Sequence, residues 1–196
     1  MKYLLMIIAF TVLVSCNLKK EEKVEQKPAD APQQAQQAMG QPAAGAKIEG
    51  NKIFLADFSF EIPSTWVVEQ PTSSMRISQF GLKSNQEIKI IGFYFGNNDN
   101  MIEANIERWK NEFTNVESVK NSKAANDLIE VVLITGTFKK KPYPMAQEFE
   151  EAPNYSTMAC IIPSKEGPYF FKAWGPKEEI AKELSVFTNF LNTYKK

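Results

Sequence analysis

No histidine occurs among the 196 residues of this chain. Its absence removes Ser-His-Asp and Cys-His catalysis, the zincin motifs and every histidine-ligated metal site. Cysteine is nearly as scarce, with only Cys16 and Cys160. The nine glycines form no phosphate-cradling loop or dinucleotide fingerprint, since the Gly92-Phe-Tyr-Phe-Gly96 stretch lacks the spacing and reads as part of a strand. Charge of either sign is not in excess: 23 Lys and Arg face 23 Asp and Glu. No bulk field therefore invites nucleic acid or anionic lipid. Long apolar runs are missing too. The longest, residues 3–14, is only 12 residues, whereas a bilayer span takes roughly 20.

That short run has its own logic. Lys2 opens a basic start, the apolar stretch fits the h-region of a secretory signal, and Leu13-Val14-Ser15-Cys16 closes it. The segment resembles a bacterial lipoprotein signal, in which Leu-x-Ser/Ala-Cys is the lipobox. The resemblance implies cleavage before Cys16, a diacylglycerol on its thiol and an acyl chain on its new amino group, and several chains anchor stably where one does not. Asn17, rather than Asp, resembles the pattern exported to the outer membrane. An ordinary cleaved signal with a chance cysteine, or an uncleaved anchor, are the competing readings. The expected location is the bacterial cell envelope, lipid-anchored at the outer membrane on its periplasmic or surface face.

Composition divides the remainder. Residues 1–15 read as signal peptide, 16–46 as lipidated cysteine plus disordered tether, and 47–196 as one globular domain. Residues 17–46 hold four Lys, four acidic side chains and no aromatic, so burial cannot offset ordering entropy. As a flexible coil of 30 residues it spans about 30 Å. The domain is rich in Phe, Ile, Val, Trp and Tyr, and its size suits a single core. Once Cys16 is lipidated, Cys160 is the sole thiol and no intramolecular disulfide can form.

Period-two alternation marks a strand at 58–62, stopped by Pro63. Further strands are expected at 53–55, 66–68, 75–80, 88–95, 128–138, 156–162 and 169–174, with Gly167-Pro168 turning the last pair. Ile102, Ile106, Trp109 and Phe113 recur at helical spacing, which predicts an amphipathic helix ending near Asn115. Asn100 and Glu103 approximate its capping box. Residues 116–127 read as a polar connection. A second helix is expected from Gly175-Pro176, with Pro176 at its first position and Ile180, Leu184, Phe187, Leu191 and Tyr194 as its core stripe. Strands interrupted by single helices imply the α+β class, a mostly antiparallel β-sheet packed with two main amphipathic helices.

The stretches Phe58-Ser-Phe60-Glu-Ile62-Pro63-x-x-Trp66, Met75-Arg76, Asn105-Ile-Glu-Arg108-Trp109 and Tyr169-Phe-Phe-Lys172-x-x-Gly175-Pro176 resemble PsbP-like domains across roughly residues 50–194. The resemblance implies an α/β/α sandwich. It carries no metal role to this chain, which has no histidine and shows no matching ligand set. No cofactor is implied.

Candidate chemistry is sparse. Cys160 lies in an apolar strand, where a buried inert thiol competes with a reactive one. Asp99, Glu103 and Glu107 can be drawn as paired carboxylates, yet their spacing also describes a solvated helix face. Asn97–Asn100 lacks calcium-loop alternation and a distal glutamate, so it reads as a cap. The segment 139–155 mixes Lys139, Lys140 and Lys141 with aromatics and an acidic cluster. Tyr143 and Phe149 would act as anchors of a protein-contact loop and the opposite charges would set register; alternatively the aromatics fold back onto the sheet. Arg76, Arg108 and Lys172 either converge on an acidic ligand or tie the fold with salt bridges. The expected function is a non-enzymatic, lipid-anchored envelope module that contacts a protein partner and binds neither nucleic acid nor metal. A carrier of small molecules or lipids, with a pocket lined by Trp109, Phe93 and Phe187, is the alternative, and an enzyme of unknown class is third.

Overall fold

The computed structural model describes residues 46–97, 100–143 and 145–196. Three short strands, β1 (Lys47–Glu49), β2 (Lys52–Leu55) and β3 (Phe58–Glu61), form an antiparallel meander. Seven more build the main sheet: β4 (Trp66–Glu69), β5 (Arg76–Leu82), β6 (Lys89–Tyr94), β7 (Phe113–Ala124), β8 (Ile129–Lys140), β9 (Glu150–Ile162) and β10 (Tyr169–Pro176). Their spatial order is β4-β5-β6-β10-β9-β8-β7, every neighbouring pair antiparallel. Helices α1 (Met101–Lys110) and α2 (Lys177–Asn192) complete the α+β domain.

Alternation along the central strands gives the sheet two apolar faces. Tyr169, Phe171 and Ala173 of β10, with Met158, Cys160 and Ile162 of β9, join the cluster that holds Phe187, Phe190 and Leu191 of α2 and Ile53, Phe58 and Phe60 of the meander. Phe170 of β10 and Ala159 and Ile161 of β9 face the other way, against Trp109 of α1. The helices therefore cover opposite faces. Trp109 and Phe187 belong to different cores, so the apolar pocket expected between Trp109, Phe93 and Phe187 is not formed.

Several expectations on local structure are corrected. Helix α1 ends at Lys110, and Phe113 opens β7 while still packing beside Trp109. Its inward positions are Asn105 and Trp109, both buried, with Ile102 exposed. Asn100 stands at its N-cap with φ 60° and makes no side-chain cap, so the capping box is not built. Residues 116–124, read as polar connection, continue β7, an edge strand whose ten middle residues are exposed or half-exposed. Strands β8 and β9 reach further than expected, leaving only 141–149 between them. Pro176 is the N-cap of α2 rather than its first helical residue. The turn at Gly167 holds: its φ of 116° suits glycine, and a Cβ there would meet the Gly96 carbonyl oxygen at 2.5 Å.

Candidate functional site

The β8–β9 hairpin runs past its neighbours. β10 pairs with β9 only from Tyr155 onward and β7 with β8 only up to Phe138, so residues 139–154 project as a ribbon. Lys140 lies opposite Glu150 and Lys139 opposite Glu151 at its base. The Lys139 amide donates to the Glu112 carbonyl at 2.8 Å, and its ammonium donates to the Asn111 carbonyl at 2.8 Å, fixing the ribbon to the end of α1. The ammonium also sits 5.9 Å from the Phe149 ring centroid, a cation–π contact.

The tip is a formed turn. The Ala146 amide donates to the Tyr143 carbonyl at 3.0 Å, and Ala146 is buried. That turn leaves Tyr143 63 % exposed, Met145 83 % and Phe149 41 %. The aromatics do not fold back onto the sheet. Lys140, Lys141, Glu148, Glu150 and Glu151 are exposed around them. Among the described residues no ion pair joins these lysines to these glutamates. Met145 is the most exposed of the three apolar side chains, and its signal in the sequence is a large apolar residue within a proline-punctuated stretch that has no strand or helix period to bury it.

Of Arg76, Arg108 and Lys172, the last two come together around Glu112, and Arg76 bonds elsewhere. Lys172 is buried on the α1 side of the sheet, paired with the Glu112 carboxylate and 5.0 Å from the Trp174 ring centroid. Burial pushes its ammonium pKa below the usual lysine range, against the opposing pull of Glu112. Arg108 donates to the Asn105 side-chain oxygen and lies 5.0 Å from the Phe95 ring centroid. Arg76 belongs to a different chain of bonds: it donates to Thr72 and to Gln79, each at 2.7 Å, Gln79 donates to Glu69 at 2.8 Å, and Lys89 donates to the other Glu69 oxygen at 2.5 Å. Those bonds, the one from Lys89 foremost, hold the Glu69 carboxyl below the usual carboxylate range. Lys172 and Arg108 thus share the field of one carboxylate, Glu112, while Arg76 serves a separate chain of bonds.

Cys160 is fully buried, and burial pushes its thiol up to about 12. It is the inert thiol of the two alternatives. Glu103 and Glu107 are exposed on α1, Glu107 pairing with Lys110 at 2.7 Å, while Asp99 and Cys16 lie outside the described residues. Among the described residues no three Cys, Asp or Glu side chains gather to hold a metal ion, and no helix is long and apolar enough to cross a membrane. A cleft of about 360 Å³ opens between the β2–β3 and β9–β10 turns, lined by Ala56, Asp57, Ser164, Lys165 and Glu166. Four of its five lining residues carry polar or charged side chains.

No protein family and no curated protein sequence matches this chain. Among solved structures it is similar to the solution structure of cyanobacterial PsbP (CyanoP) from Synechocystis sp. PCC 6803, at 7 % identity and a TM-score of 0.45, over 70 % of this chain and 85 % of that one.

Proposed function

We propose that this protein is a lipid-anchored module of the bacterial cell envelope that contacts a protein partner through the tip of its β8–β9 hairpin and has no catalytic role. The observation that carries the reading is the tip itself. Three large apolar side chains stand in solvent on a turn held by a backbone hydrogen bond and a buried alanine, an arrangement that favours burial against a second surface. Anchoring rests on the lipobox, and the aromatic-free stretch after Cys16 gives the domain reach.

The test is crosslinking in the native membrane followed by mass spectrometry, with two variants. Cys16→Ala is expected to move the protein from the membrane to the soluble fraction. Tyr143→Ser, Met145→Ser and Phe149→Ser combined are expected to leave thermal unfolding unchanged and abolish the crosslinked protein product. An unchanged product pattern in the triple variant overturns the contact reading, and retention of Cys16→Ala at the membrane overturns the anchor.

A further inference from the structure

Charge at the hairpin tip is divided by strand. Lys139 and Lys140 close β8 and Lys141 follows them, while Glu148 precedes Glu150 and Glu151, which open β9. One edge of the projecting ribbon is cationic and the other anionic, with Tyr143 and Met145 on the turn between and Phe149 on the anionic edge. Registration alone would let Lys140 pair with Glu150 and Lys139 with Glu151, yet neither pair closes to an ion pair. A surface whose two halves carry opposite charge complements itself under a two-fold rotation. When the axis runs along the ribbon and two ribbons pack face to face, each lysine edge lies over the other copy's glutamate edge.

The place where the domain begins fits that axis. Lys47 pairs with Phe54 and Phe54 with Ser59, and the neighbouring Phe58 ring stands 5.4 Å from Tyr169. Tyr169 pairs with Ile162, the last residue of β9, whereas the tip adjoins Glu150, its first. Thirteen strand residues cover about 40 Å. The domain therefore begins at one end and carries the tip at the other. Two copies joined by an axis along this length place Lys47 of each at the same end.

We propose that the partner of the hairpin tip is a second copy of this chain, in a two-fold dimer that sets Lys140 and Lys141 of one copy against the Glu148 to Glu150 edge of the other and buries Tyr143, Met145 and Phe149 between them. The proposal rests on the contact reading above and specifies its partner. Stable interfaces bury about 1,200–2,000 Å², more than one tip supplies. Pairing is accordingly weak in dilute solution and is raised by confinement on a membrane.

The experiment uses the full chain in its native membrane with Met145→Cys and a thiol-specific bismaleimide. Val68→Cys, exposed on β4, carries the same Cys16 and buried Cys160 and is the control. A chain-to-chain product is expected for Met145→Cys and none for Val68→Cys. Reversing the lysines (Lys140→Glu with Lys141→Glu), or the glutamates (Glu150→Lys with Glu151→Lys), should each cut the product by about tenfold. Coexpressing the two reversed chains should restore it. Absence of a chain-to-chain product, or a product indifferent to both reversals, overturns the proposal. Capture of a different protein by Met145→Cys also overturns it, while leaving the contact reading standing.

Discussion

Glu183 turns a carboxylate from α2 into the core, where Trp66 Nε1 donates to it at 2.5 Å. Burial raises its pKa above the ordinary glutamate value, and the indole bond only partly opposes that. The folded state thus holds the proton more tightly than the unfolded chain. Between the unfolded pKa, about 4.3, and the raised folded one, stability falls as pH rises, and the full penalty is present above both. Glu183→Gln keeps an acceptor for Trp66 and removes the charge. It is expected to raise the thermal midpoint at pH 7 and to show no gain near pH 4, measured by calorimetry at both values; an equal gain at both would sink the assignment. Lys172 poses the opposite problem. Glu112→Gln leaves a buried ammonium unpaired and should cost about 2–3 kcal/mol in urea unfolding, less than a fully buried pair because Glu112 is partly exposed. Lys172→Met removes both the charge and its desolvation and should be nearly neutral.

At the scale of elements, β7 shows how an edge strand escapes a reading by periodicity. Strands β8 to β10 announced themselves because each buries at least one face, so Val, Ile and Phe alternate or run continuously. In β7 only Phe113 and Ala124, at its two ends, are buried, and the sequence between them has no face to mark. Register shifts at Phe113/Asn115 and Val116/Ser118 blur it further. Helix α2 was legible through Ile180, Phe187 and Leu191, all buried. Asn105 in α1 was not, because its burial depends on bonds to the Met101 carbonyl and Arg108 rather than on hydropathy. The candidate site was half legible: Tyr143, Phe149 and the charge clusters stand out in the sequence, but their exposure follows from the turn at Ala146. β7 also supplies a test. A Cβ on Gly136 would lie 2.0 Å from the Asn115 carbonyl oxygen and 3.1 Å from the Val116 Cα. Backbone cannot step aside cheaply, so Gly136→Ala should cost about 1–3 kcal/mol. Amide exchange should quicken in β7 first, and an unchanged β7 would contradict the packing.

Over the whole molecule, the meander is a separate sheet, and the chain's last residues help to hold it. The Lys195 amide donates to the Ser59 carbonyl at 3.0 Å and the Ser59 amide to the Lys195 carbonyl at 2.8 Å. Tyr194 packs its ring 5.5 Å from Phe58 and 5.8 Å from Phe60. The ion pairs Lys195–Glu61 and Lys196–Asp57 lie in solvent and contribute little. Ending the chain at Thr193 preserves α2 and the Thr193 hydroxyl that accepts from the Glu61 amide at 2.7 Å. It removes the two backbone bonds and both Tyr194 ring contacts, an expected loss of about 2–4 kcal/mol. Because β8, β9 and β10 draw their hydrogen bonds from one another, the damage should be local. Exchange should accelerate at the amides of β2 and β3 while the central strands keep their protection. Uniform acceleration would mean that meander and main sheet open as one unit, and that the layer carrying Ile53, Phe58 and Phe60 cannot come away from α2 without unfolding the rest.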